Sequence, residues 1–143
     1  MLLFYIALHV QIERARVVAV DTVSALRNRC GIDRPIRACT QFSAYSLDAS
    51  CNSSDDGWSI RASAWIAPQM IVLAPEAMTH EYLHISDVRQ SANDYLRVVS
   101  AQRYGTANQC EDAAAREIAA FGERIKISVQ ESNARRHPTK YHH

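Results

Sequence analysis

His80-Glu81-Tyr82-Leu83-His84 decides how the rest of this chain is read. Two histidines four positions apart share one face of an α-helix, about one turn from each other. Both imidazoles can then reach one tetrahedral metal ion at about 2.0–2.1 Å. Glu81 projects to the side where a water activated by that metal would lie. A carboxylate there can take a proton from the water and deliver it to a leaving amine. That division of labour is the physical content of the H-E-x-x-H pattern.

The flanks argue that the segment is helical. Pro75 suits a first helical position, where its missing N–H would have no partner anyway. Glu76 adds a favourable negative charge to the first turn. From there to about Arg103 neither proline nor glycine intervenes, and Leu83, Val88, Ala92, Tyr95, Leu96 and Val99 form an approximate helical stripe. A turn follows at 105–108. A second long helix is expected over about 110–131, with Ala114, Ile118, Phe121, Ile125 and Val129 spaced by three and four.

Upstream, the pattern changes period. Trp58, Ile60, Ala62, Ala64 and Ile66 alternate with Ser59, Arg61, Ser63 and Trp65, which reads as a strand that Pro68 interrupts. Residues 70–73 are a short apolar run suited to a further strand. Leu2, Phe4, Ile6, Leu8, Val10 and Ile12 also alternate, so a strand is expected over 2–13, with a continuation through 17–20. Asp21 is placed as the N-cap of a short helix over 22–28, and Gly31 as its left-handed C-cap. A strand is expected over 40–47 with Phe42 and Ala44 on one side, followed by a polar loop over 52–57. The resulting order predicts an α+β fold. A small antiparallel or mixed sheet packs on an active-site helix and a long C-terminal helix. No repeat or linker divides the chain, so residues 1–143 are read as a single domain.

A formal net charge of +1 gives no general attraction for nucleic acid or anionic membrane. The basic tail of Arg135, Arg136, His137 and Lys140 has only Tyr141 as an aromatic companion, so no nucleic-acid partner is expected. The apolar N-terminal ten residues are too few to span a bilayer. They also lack the basic start and small-residue cleavage site of a secretion signal, and are read as part of a mature strand. No transmembrane segment is expected.

The four cysteines, Cys30, Cys39, Cys51 and Cys110, contain no C-x-x-C pair. An even count in a short chain favours two disulfides and an oxidising compartment, over four reduced thiols in a cytosol. Cys39 and Cys51 flank what reads as a hairpin, which suggests a bridge between them and a second from Cys30 to Cys110.

A third metal ligand is not settled by spacing. Asp87 lies on a similar face to His80, but three ligands on one helix make an awkward geometry, and an acid in that place more often orients a histidine or is simply solvated. If the two long helices form an antiparallel hairpin, positions facing 80–84 lie near 128–132. Glu131 falls there and His137 a little beyond. Glu111, Asp112 and Glu117 would face the far end, and Glu123 the edge of the window. Tyr141, Tyr95 and Arg136 are candidate donors to an oxyanion, with Tyr95 better placed as core. No role is assigned to His142 or His143.

Thr79-His80-Glu81-Tyr82-Leu83-His84-Ile85-Ser86-Asp87 resembles the zincin clan of metallopeptidases, and the order of strands, active-site helix and following helix looks like its minimal scaffold. The whole chain is similar to a family of short bacterial proteins described as predicted secreted zinc-dependent proteases of unknown function. In that family an H-E-x-x-H helix is followed by a long helix and a late histidine in a polar segment. Ser132-Asn133-Ala134-Arg135-Arg136-His137 stands in that place, so the resemblance implies His137 as the third ligand, beside His80 and His84. It implies a zinc cofactor, Glu81 as general base, a peptide or protein substrate, and a secreted or periplasmic location. The alternative is a non-catalytic zinc-binding or interaction module on the same scaffold.

Overall fold

The longest run of alternation builds the centre of the sheet. In the computed structural model, which describes residues 9–32 and 35–137, β4 spans Gly57–Val72 and every other strand pairs with it. β3, Ala38–Ser54, runs antiparallel along one edge of β4. β1, His9–Ile12, and β2, Arg16–Ala19, pair with it in parallel. Two of the three strand pairings are therefore parallel, and the sheet is mixed. The expected strand over 2–13 is represented by β1, and its residues 2–8 lie outside the described residues.

Pro68 does not interrupt this strand. β1 ends its pairing at Ile66 and β2 begins at Gln69, so Pro68 lies in the gap between them. On the other side, Phe42 and Ser43 of β3 together oppose it in a bulge between Gln41 and Ala44. A proline in a central strand is tolerated at a bulge, where no ladder amide is needed from it. The segments read as two strands, 58–66 and 70–73, are one.

The bulge also decides which way β3 faces. Opposed pairs share a face, so Thr40 lies with Met70, and Cys39 with Ile71. Beyond the extra residue the parity switches, and Leu47 and Cys51 join Ala64 and Ile60. A one-residue shift carries every following side chain to the other face. Phe42 is accordingly buried while Ala44 is exposed, contrary to the expectation that they share a side.

The disulfides follow from this parity. Cys39 faces one side and is bonded to Cys30; Cys51 faces the other and is bonded to Cys110. The expected Cys39–Cys51 and Cys30–Cys110 pairs are wrong. Cys39 and Cys51 stand on one continuous strand, about 40 Å apart at strand rise, and a bridge needs Cα atoms within about 7 Å. The polar loop at 52–57 is the hairpin itself, closed by Asp55 and Asp56. Gly57 ends it at φ 106°, and a Cβ there would come within 2.7 Å of the Tyr104 carbonyl oxygen.

Three helices cover the sheet. α1, Val23–Cys30, is capped by Thr22, whose hydroxyl accepts from the Ala25 amide, one position after the expected Asp21. Gly31 closes it at φ 65°, as expected. Leu26 of α1 packs with Cys39 and Ile71 on one face. On the other lie α2, Met78–Ala101, entered through a 3₁₀ turn at Pro75–Ala77, and α3, Ala107–Arg136. Ile85, Val88, Ala92, Leu96 and Val99 of α2 meet Ala113, Ala114, Phe121 and Ile125 of α3 over the β4 face. Leu83 and Ile118, assigned to the helical stripes, are exposed instead. Thr106 caps α3 by accepting from the Gln109 amide, while the Gln109 side chain accepts from Gly105. α3 runs five residues past the expected end at 131, and that extension carries His137 to the start of α2.

A candidate metal centre between two helices

His80 and His84 occupy the first two turns of α2, and His137 is the first residue beyond α3. Its amide donates to the Asn133 carbonyl, which holds the chain in place as it leaves the helix. The three Nε2 atoms converge. His80 and His84 are 3.1 Å apart, His80 and His137 3.1 Å, and His84 and His137 3.3 Å. Ligand nitrogens around a tetrahedral Zn²⁺ at 2.0–2.1 Å stand about 3.3–3.4 Å from one another. The triangle therefore has nearly the dimensions of one face of such a site. Among the described residues these three side chains form the group able to hold a metal ion.

Glu81 points to the same cleft and is buried. Its Oε1 accepts from the Thr40 hydroxyl at 3.0 Å. Thr40 lies on β3 before the bulge, on the side that faces α2, so strand parity sets the rotation of a helix carboxylate. The cleft is about 440 Å³, with Ile36, Phe42, Val88 and Val129 as apolar wall. Arg37 and Glu76 pair across its rim at 2.6 Å, both largely exposed.

Behind His84 stands a polar chain. Its Nδ1 lies 2.8 Å from Ser132 Oγ. Ser132 donates to Asp87 Oδ2 at 2.6 Å, and Arg136 donates to both Asp87 oxygens, at 2.9 and 2.7 Å. The Arg136 hydrogen bonds, opposed by burial and helped by Ser132, hold the Asp87 carboxyl down at about 2. Burial first, then the neighbouring His80 and His137, lower His84 to about 4. His84 is therefore neutral near pH 7, and neutral imidazole is the form that can ligate a metal.

The other candidates separate. Glu131, Glu111, Asp112 and Glu123 are exposed and lie outside the histidine group. Glu117 accepts from the Tyr95 hydroxyl, and Arg124 covers the Tyr95 ring at 4.5 Å. Tyr95 and Arg136 are thus engaged elsewhere than at the histidines. Tyr141, His142 and His143 lie outside the described residues. Ser132 and Thr40 were not singled out from sequence. Ser132 had a signal: it lies in the 128–132 window and continues the buried face of Ile125 and Val129. Thr40 had none, because its role depends on strand pairing.

Comparison with protein-family models, with curated proteins and with solved structures finds no match for this chain. No helix among the described residues is long and apolar enough to cross a membrane. The two disulfides fit an oxidising compartment.

Proposed function

We propose that this chain is a secreted or periplasmic zinc-dependent peptidase, with His80, His84 and His137 holding the metal and Glu81 acting as general base. Three imidazole nitrogens at nearly the separation a tetrahedral metal imposes carry this proposal. Among the described residues three histidines form the group, which is the number of protein ligands that a catalytic zinc site carries. Bound zinc supplies Lewis acidity to a water and to a peptide carbonyl.

Glu81, held by Thr40, accepts the water's proton and returns it to the leaving amine. The apolar cleft wall excludes water from the side chain of a bound peptide. β4, the strand preceding the motif, is paired on both sides and has no edge to offer a peptide. β3 pairs with β4 along one edge and borders the cleft at Ala38, Cys39, Thr40 and Phe42, so an extended peptide would lie against β3.

Zinc per chain, measured by elemental analysis on the full chain, tests the site. About one zinc is expected in the wild type and in Glu81→Gln, and none in His80→Ala. Cleavage of a peptide library, read by mass spectrometry, should fall by about 10²–10⁴ in Glu81→Gln. Zinc bound without Glu81-dependent cleavage would favour the non-catalytic zinc-binding module; no zinc in the wild type would sink both zinc readings and leave an interaction module.

A further inference from the structure

Asp87 stands one turn beyond His84 on α2 and is not a member of the histidine triangle. Its side chain is only 8% accessible. A buried carboxylate kept only to pair with surface arginines would need no hydroxyl, and beside a long ion pair to Arg135 at 3.8 Å Asp87 hydrogen-bonds two partners of different kinds, Ser132 and Arg136. Each leads to a different histidine.

The first path runs through Ser132, which is fully buried. A serine hydroxyl carries one proton, and an ionised carboxylate only accepts. The Ser132 proton therefore goes to Asp87, and Oγ must accept from His84 Nδ1–H. This direction places the His84 proton on Nδ1 and the lone pair on Nε2, the atom that faces His80 and His137. The second path runs through Arg136. It is the last residue of α3 and is bonded to His137 through the peptide link. Its two-point grip on Asp87 ties the end of α3 to α2, and so sets where the His137 imidazole can reach.

On the metal reading of the triangle, we infer that Asp87 is a positioning residue for two of the three ligands. Through Ser132 it presents the His84 Nε2, and through Arg136 it brings His137 to the site. Partners of this kind behind metal-bound histidines typically change metal affinity by 10–100-fold.

Two measurements on the full chain separate this role from the metal reading. Long-range ¹H–¹⁵N NMR of the apo-protein at neutral pH should show His84 protonated on Nδ1, and Ser132→Ala should mix its tautomers. This readout needs no metal, so it stands even if zinc fails to bind. Zn²⁺ affinity, by competition with a chromophoric chelator, should fall 10–100-fold in Ser132→Ala and in Asp87→Asn. It should also fall in Arg136→Lys, which keeps the charge but loses the two-point grip. The double variant Asp87→Asn/Ser132→Ala should bind no more weakly than Asp87→Asn, because both act on one path to His84. Wild-type affinity in Ser132→Ala and Arg136→Lys, or a His84 proton on Nε2 in the wild type, overturns the inference.

Discussion

The two ends of the α2–α3 hairpin each gather partly buried polar side chains, and they arrange them differently. At the far end, Tyr95 donates to Glu117 and Arg124 lies over the Tyr95 ring, so complementary groups meet. Burial and the adjacent Glu117 push the Tyr95 hydroxyl well above its usual range. Toward the same end, in the first turn of α3, the Cys51–Cys110 bond ties β3 to α3. At the near end, three like groups converge, and the complementary Asp87, Ser132 and Arg136 stand behind them. A donor beside an acceptor satisfies both. Three imidazoles meeting at their Nε2 atoms instead form a group that could hold a shared cation. The lesson is that the kind of neighbour, rather than the presence of buried polar side chains, separates a structural cluster from a site.

Removing the far-end bond should produce the largest effect. Replacing Cys51 and Cys110 together by alanine should cost about 2–5 kcal/mol, read by denaturant unfolding. Zinc affinity of the folded protein should stay unchanged, and a parallel loss of affinity would erase the distinction between the ends.

The next effect belongs to His84 and to pH. Its folded value near 4 lies below its ordinary 6.5, so the unfolded chain binds more protons between the two. Apo-protein stability should therefore be full above about pH 6.5 and fall as pH drops toward 4, by about 1–3 kcal/mol in all. His84→Gln should flatten this part of the profile relative to wild type; equal slopes in that window would remove His84 as the cause.

Tyr95→Phe should be the mildest. It deletes one hydrogen bond to a Glu117 that retains Arg124, at about 1 kcal/mol of unfolding free energy and with no change in zinc affinity. A change in affinity would mean that the two ends communicate along the helices.

Much of the fold was legible because it is written in local periodicity. The H-E-x-x-H spacing, the alternation of β4 and the Gly31 cap each depend on residues a few positions apart, and all three stand. The misreadings share another origin. Pro68 read as a break because a single strand cannot reveal the gap and bulge that accommodate it. The cysteines were mispaired because β3 was cut short and its change of parity was invisible. Glu131 fitted the facing window but is exposed, because Ser132 takes the inward position beside it.

The sequence by itself determined that His80 and His84 share a helix face with Glu81 between them, since helical geometry over five residues allows little else. It also determined the main strands, from the two-residue period of their apolar side chains. Only the tertiary structure decided which acids and histidines stand near that motif, how the cysteines pair, and that Thr40, Ser132 and Asp87 support the site. Those outcomes depend on strand register, on one extra residue in β3 and on five further residues of α3. Each is set by packing between elements distant in sequence, which no local pattern encodes.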